Sequence, residues 1–329
     1  MTAEFDREVL APVRRFLGRP VRLPDVGEWE VSRSGGLTQL RLRIGADQLS
    51  QNLQKNSAAA PYFLVCLGYW LARVSGADPA LHVEVVGAPP APGTPLQHYR
   101  RAWMALEALQ QGLGDRFTIV GAPAQLWPSS PRLNAPVEKR GLEVGRGGRE
   151  HAVEVQLCAE PRWAREFSVI AESINSFERQ LPLGLFDGPV ARSNHWTPGG
   201  AAQADLWAVS PDRETFHLVE LKVEGNASVG VLPELLGYLW LLHRARHGLP
   251  DGTQLDGGGR GIDAAREAER LLGWIVAPRL HPLLLGEQGS PLEWVAEGLR
   301  RKIALGVLPY VEEPRGRFQR WSASGLSRF

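Results

Sequence analysis

Two apolar segments joined by a short turn limit the possible folds of this chain more than any other feature of its sequence. Residues 202–209 and 215–223 are largely apolar, and residues 210–213 (SPDR) between them are typical of a turn. This arrangement predicts two adjacent strands. Strands as apolar as these must be covered by other elements, so we expect a small mixed sheet with helices on its faces.

The elements predicted around this hairpin complete an α/β unit in the second half of the chain. Pro233 opens a predicted helix, since proline suits the first helical turn. In chain order, we expect a helix over 163–180, a strand over 183–186, the two hairpin strands, helices over 233–247 and 263–272, a strand over 273–277 and a helix over 291–304. The predicted fold class is therefore α/β.

The first half of the chain is expected to form a mixed α/β domain. Its periodicity predicts strands over 38–44, 81–86 and 117–120, and helices over 3–17, 59–74 and 96–113. Residues 141–150 are rich in glycine and form either an interdomain linker or a hairpin turn. Because 329 residues are enough for two domains of ~100–200 residues, we expect a recognition or partner domain over 1–155 and a second domain over 156–329.

Composition and charge exclude several classes of protein. The hydrophobic fraction of 43% and the charged fraction of 22% are ordinary for a globular protein, and a net charge of +1 does not fit a general polyanion binder. The longest apolar stretch, residues 58–72, contains Pro61 and Gly68, so we interpret it as a buried helix and expect no membrane partner. Two cysteines make no disulfide framework, and no export signal is visible, so a cytoplasmic location is expected.

Three charged residues lie within the apolar hairpin. Asp205 is in the first strand, whereas Glu220 and Lys222 are in the second, where the alternation of side chains places them on one face. Ionised groups in strands of this kind are costly unless they are paired or bind a metal ion. Two neighbouring carboxylates repel each other, and a hard divalent cation removes that repulsion.

Lysine is rare in this chain, which makes Lys222 informative. Only four of the 37 basic residues are lysines, and the others are arginines. A lysine beside a metal ion can lower its pKa and position or activate a water molecule, a task for which arginine is poorly suited. The residues alone leave two interpretations open, a metal-dependent hydrolytic site or a solvated hairpin edge, and the apolar neighbours Leu218, Val219 and Leu221 favour the first.

Asp205, followed after fourteen residues by Glu220-Leu221-Lys222, resembles the PD-(D/E)XK nuclease superfamily. The resemblance covers residues 160–310 and implies a restriction-endonuclease-like core, which is a helix, a three-stranded meander, a helix and a strand, with one helix inserted here. It also implies that Asp205 and Glu220 hold Mg²⁺ or Mn²⁺ and that Lys222 assists the attacking water. A glutamate on the preceding helix often joins such sites, and Glu178 is the positional match, as a catalytic residue and third metal ligand.

Three positions after the motif are candidates for contacts with a substrate. RecB-like members of the superfamily carry Gln and Tyr four residues apart on the following helix, and Glu234 and Tyr238 have that spacing here. Asn226 follows the second hairpin strand and is either a substrate contact or a turn residue. The chain departs from the family pattern at Glu234, where Gln is expected, and at Ala204, where Pro is expected.

The resemblance implies a Mg²⁺-dependent nuclease, a phosphodiester hydrolase for which DNA is favoured over RNA, that acts in restriction, repair or defence against foreign DNA. Many members of the superfamily work as dimers, so the resemblance also suggests a homodimer. Two alternatives stay open: a ribonuclease regulated by its first half, and a protein with a nuclease fold that binds nucleic acid without cutting it. The sequence contains no GxSxG, HExxH, CxxC or P-loop motif, so serine hydrolases, zincins and NTPases have no support.

Overall fold

A computed structural model describes most of the chain, in segments separated by gaps. The segments are residues 2–53, 55–133, 149–170, 173–198, 202–222, 228–277, 281–284, 289–299, 304–311 and 317–318. Within these ranges, no helix has both the length and the apolar content that crossing a bilayer requires.

The first half of the chain builds a four-stranded sheet with helices packed against it. Its strands, in spatial order, are β1 (Glu28–Ser34), β2 (Leu37–Gly45), β3 (Ala80–Val86) and β4 (Phe117–Val120). The β1–β2 pair is antiparallel and the other two pairs are parallel. The helices are α1 (Ala3–Phe5), which continues through a π-helical turn (Asp6–Leu10) into α2 (Ala11–Leu17), then α3 (Ala46–Leu49), α4 (Ala60–Ser75) and α5 (Thr94–Leu113).

Side-chain alternation along β2 sets the orientation of this sheet. Leu40 and Leu42 are fully buried, whereas Arg41 and Arg43 lie on the other face and form ion pairs with Glu84 of β3. The helices and strands predicted for this half are confirmed to within a few residues at their ends. The sequence did not predict β1, because its alternation places only two of its residues in the core.

The second half of the chain contains the hairpin within a six-stranded sheet. In chain order, the remaining strands are β5 (Pro131–Leu133), β6 (Glu178–Pro182), β7 (Leu185–Asp187), β8 (Gln203–Val209), β9 (Thr215–Leu221), β10 (Arg270–Ala277), β11 (Ala304–Val311) and β12 (Arg317–Phe318). The sheet has the order β12-β11-β10-β9-β8-β6, and β5 pairs separately with β7. Strands β6, β8 and β9 are antiparallel, β10 is parallel to β9, and β11 is parallel to β10.

Helices cover both faces of this sheet, as the apolar hairpin predicts. They are α6 (Arg149–Ala159), α7 (Pro161–Ile170), α8 (Val231–His247), α9 (Arg260–Glu267) and α10 (Leu292–Leu299). On one face, Val219 of β9 shares an apolar cluster with Phe167 of α7. On the other face, Phe216 of β9 belongs to a larger core that contains α8.

The larger core continues without interruption from the second half of the chain into the first. Helices α5 and α8 pack closely, because a Cβ atom placed on Gly237 would lie only 3.7 Å from Cβ of Ala105. The same core includes α4 and the buried face of the first sheet. The division into domains at residue 155 stays a prediction, and the apolar core crosses it.

The predicted helix over 163–180 is wrong in its second part. Helix α7 spans Pro161–Ile170, and Glu178 opens strand β6. Phe177 packs against Phe167 with 5.1 Å between the ring centroids, and Glu178, Arg179 and Leu181 pair with β8. Tertiary pairing therefore overrides the local preference for helix.

The last predicted elements are also shifted. Residues 270–272, predicted to end a helix, begin strand β10. The helix predicted over 291–304 is confirmed over α10, but its predicted last residue, Ala304, begins strand β11. Parallel pairing of β11 with β10 accounts for this difference. The strand predicted over 183–186 lies partly in β7, outside the main sheet, so the third strand of the meander is β6.

Candidate active site

Lys222 lies among three carboxylates just after strand β9. Its Nζ is 2.7 Å from Glu220 Oε1, 3.5 Å from Glu234 Oε2 and 3.5 Å from Glu150 Oε1. The side chains of Lys222 and Glu220 are each 3% exposed, whereas that of Glu150 is 31% exposed. The ammonium group is therefore buried, whereas the Glu150 side chain beside it is partly exposed.

Three elements bring these groups together. Alternation along β9 places Glu220 and Lys222 on one face, as predicted, and the Lys222 N–H donates to the carbonyl oxygen of Val276 on β10 at 2.8 Å. Glu234 and Glu150 lie in the first turns of α8 and α6. The helix dipole favours a carboxylate at both of these positions.

Asp205 joins the cluster from the neighbouring strand β8. Its Oδ2 accepts a hydrogen bond from the Leu221 N–H at 2.6 Å. Burial raises the pKa of Asp205 to about 7, although the positive charge of Lys222 opposes this rise. Burial also raises the pKa of Glu220, and the charge of Asp205 raises it further. The buried carboxylate of Glu220 and the partly buried carboxylate of Asp205 therefore repel each other across the hairpin, as the sequence predicts.

Arg101 reaches the cluster from helix α5 in the first half of the chain. Its Nη2 is 3.5 Å from Glu234 Oε1, and its guanidinium group lies over the ring of Tyr238, 4.7 Å from the centroid. Tyr238 is one helical turn beyond Glu234, and burial raises its pKa despite the nearby Arg101 charge. Of the predicted pair, Glu234 therefore belongs to the cluster and Tyr238 lies beside it. Arg101 is a further member that the motif did not identify.

The cluster contains more acidic than basic groups. Its acids are Asp205, Glu150, Glu220 and Glu234, and its bases are Lys222 and Arg101. Among the described residues, Glu220 Oε2 is a buried oxygen without a hydrogen-bond partner. An excess of acidic groups, with a carboxylate oxygen left unsatisfied, is an environment that a bound cation would stabilise.

Glu178 lies outside the ion pairs of this cluster. It is on strand β6 instead of the predicted helix, its side chain is 34% exposed, and its Oε1 pairs with Nη2 of Arg260 at 2.7 Å. The helical carboxylates near Asp205 belong to α6, where Glu154 follows Glu150 by one turn. Besides burial, the charges of both glutamates raise the pKa of Asp205.

The α6 carboxylates could have been found from their spacing. Glu150 and Glu154 are four residues apart, which places them on one helical face. The sequence interpretation missed them because it assigned residues 141–150 to a linker or a hairpin. Glu154 is buried, its Oε2 accepts a hydrogen bond from Arg179 Nη2 at 3.2 Å, and burial raises its pKa.

Asn226 lies outside the described residues. Within the described ranges, no three His, Cys, Asp or Glu side chains are grouped so that they could hold a metal ion by themselves.

Comparison of the chain with protein-family models, with curated proteins and with solved structures finds no match.

Proposed function

We propose that this chain is a Mg²⁺-dependent nuclease that hydrolyses phosphodiester bonds in DNA. The proposal is carried by the buried cluster in which Asp205, Glu220 and Lys222 meet on two adjacent antiparallel strands. Burying ions of this kind costs several kcal/mol for each, and apolar residues would stabilise the hairpin at least as well. Perturbed carboxyl groups that share a specific cationic partner are typical of functional sites.

The order and direction of the elements around the cluster support the proposal. Helices α6 and α7, the antiparallel strands β6, β8 and β9, helix α8 and the parallel strand β10 follow one another along the chain. This is the order that the resemblance to PD-(D/E)XK nucleases implies, with α9 as the inserted helix. We infer a restriction-endonuclease-like core on this basis.

The acidic residues fit a hard divalent cation, Mg²⁺ or its substitute Mn²⁺. Asp205 and Glu220 would hold the ion, and Glu150 would supply the helical carboxylate for which the resemblance offered Glu178. Mg²⁺ is commonly held by one or two carboxylates, and waters and substrate phosphates complete its shell, so a third protein ligand is not required. When bound, the ion neutralises charge on the phosphate and lowers the pKa of a coordinated water.

Lys222 is placed to orient the attacking water. Burial lowers the pKa of Lys222, but the charges of Glu220, Glu234 and Asp205 outweigh this effect and raise it. The ammonium group is therefore a hydrogen-bond donor in this protein. In the proposed reaction it donates to the water and to the negative charge that develops on the phosphate, while the carboxylates around it fix its direction.

The proposal is tested by incubating the full-length protein with supercoiled plasmid, linear duplex, single-stranded DNA and RNA, each with Mg²⁺, Mn²⁺ or EDTA. We expect metal-dependent cleavage of a DNA substrate and its loss in Asp205→Asn, a variant that keeps an acceptor oxygen for the Leu221 N–H. The matched control is Asp212→Asn, in the turn of the same hairpin, which should cleave normally.

The other outcomes of this experiment would identify a different substrate or contradict the proposal. Cleavage of RNA alone would identify a ribonuclease. The absence of cleavage with every substrate and metal, or full activity of Asp205→Asn, would contradict the proposed function.

A further inference from the structure

The ion pairs at the candidate site form a chain of alternating charge that begins in the first half of the protein. Glu234 has one carboxylate oxygen 3.5 Å from Nη2 of Arg101 and the other 3.5 Å from Nζ of Lys222. Lys222 in turn lies 2.7 Å from Glu220. Glu234 is therefore placed between two cations and presents one oxygen to each.

Arg101 occupies this position at an energetic cost. Its side chain is 9% exposed, and within the described residues its Nη2 makes no hydrogen bond, although Glu234 and the Tyr238 ring are close. A buried guanidinium group is expensive, and an apolar side chain would pack between α5 and α8 at a lower cost. Its presence indicates a requirement for the charge at this point.

We infer that Arg101 is a positioning residue of the proposed nuclease, because it holds one oxygen of Glu234 and so fixes the other oxygen beside Lys222. The inference rests on the proposed function and extends it, since helix α5 then contributes to the geometry around the phosphate. Without Arg101, Glu234 Oε1 loses this cation, and the balance of charges that sets the position of the Lys222 ammonium group beside Glu220 changes.

Replacement of Arg101 should affect turnover more than substrate binding. Arg101→Met keeps a long apolar side chain and removes the charge. We expect kcat to fall roughly 10- to 100-fold, because a displacement of about 1 Å can cost this much, while KM for the DNA substrate changes by less than about twofold. Arg101→Lys should recover part of the loss. A residue that bound DNA directly would raise KM instead.

A double-mutant cycle tests whether Arg101 acts through Glu234. In a Glu234→Gln background, Arg101→Met should change kcat by less than about threefold, because the charged partner is already absent. An equal loss of kcat in both backgrounds would overturn the inference. The matched control is Arg244→Met, because Arg244 also bridges the two helices, 2.6 Å from Glu107 Oε1, at the far end of α8.

The position of Lys222 can also be followed without any cleavage. Because the chain has only four lysines, selective ¹³C labelling gives few side-chain signals, and Lys222→Arg identifies the one from Lys222. Arg101→Met and Glu234→Gln should both shift this signal, and Arg244→Met should leave it in place. An unshifted signal in Arg101→Met would overturn the inference even if the wild-type protein cleaves DNA. If the wild type cleaves nothing, the proposed function fails, and the signal still decides whether Arg101 positions Lys222.

Discussion

The carboxylate of Glu150 lies 3.5 Å from the ammonium group of Lys222 and so connects the first turn of α6 to the end of β9. Glu178, which the resemblance placed in the role of helical carboxylate, lies on β6 and pairs with Arg260. The Glu150 side chain is also more exposed than those of Lys222, Glu220 and Glu234. Matched substitutions can therefore distinguish the contributions of Glu150 and Glu178 to activity.

Glu150→Gln should lower kcat/KM for the DNA substrate roughly 10- to 100-fold, the range found when a supporting ligand of a metal site is removed. The amide has the shape of the carboxylate and lacks its charge, so the fold should be retained. Glu178→Gln removes an ion pair that is partly exposed and should change kcat/KM by less than about threefold. Initial rates of plasmid cleavage at saturating Mg²⁺ measure both. If kcat/KM falls more in Glu178→Gln than in Glu150→Gln, Glu178 and not Glu150 supports the proposed metal site.

Asp205→Asn should stabilise the metal-free protein, most strongly at high pH. Burial raises the pKa of Asp205 to about 7, so the folded state holds this proton more tightly than the unfolded chain does. The stabilisation from protonated Asp205 is complete below about pH 4 and is lost as the pH rises through 7. The free energy of unfolding of the variant should exceed that of the wild type by roughly 2–4 kcal/mol at pH 8 and by much less at pH 4. Thermal unfolding in EDTA at both pH values checks this.

The same pair of proteins tests whether Asp205 binds the metal ion. Mg²⁺ that binds the folded state alone should raise the melting temperature of the wild type as its concentration increases. The variant lacks one of the two proposed carboxylate ligands, so its melting temperature should stay nearly constant. Equal increases in both proteins would show that any bound ion lies elsewhere.

His281 should produce the opposite dependence of stability on pH. Burial lowers its pKa to about 4, its ring packs against Phe63, and its Nδ1 accepts a hydrogen bond from the Leu283 N–H. Because the unfolded chain then binds the proton more tightly, this contribution to stability is complete above about pH 6.5 and is lost as the pH falls toward 4. His281→Asn keeps an acceptor and should flatten the curve between these values. Urea unfolding measures the slope, and an unchanged slope would contradict the prediction.

The hairpin and the positions of its charged residues were predictable because they follow from local geometry. A turn between two apolar segments places the strands side by side, and a period of two places Glu220 and Lys222 on one face. The single turn from Glu234 to Tyr238 on α8 is equally local. These relationships depend only on the geometry of a strand and of a helix, and not on how the elements pack.

The remaining members of the site were not predictable because their contacts join distant parts of the chain. Arg101 meets Glu234 only because α5 packs on α8, and the sequence of α5 does not indicate that partner. Glu178 could be read as helical from its neighbours, yet pairing with β8 makes it part of a strand. In both cases, tertiary contacts decide what local preference leaves open.

Residues 149–329, produced without the first half, should not form a stable soluble monomer. Helix α8 is buried along almost its whole length, and α5 provides part of its cover. Each large apolar side chain exposed by the removal of α5 costs about 1.5–3 kcal/mol, so the exposure of several of them costs as much as the ~5–15 kcal/mol that stabilises a typical domain. Co-expression with residues 1–148 should restore solubility, because α5 can then pack against α8 again.

Analytical ultracentrifugation and near-UV circular dichroism distinguish the outcomes. A monomeric fragment that unfolds cooperatively would contradict this prediction and show that the second half folds without the first, as the division at residue 155 predicts.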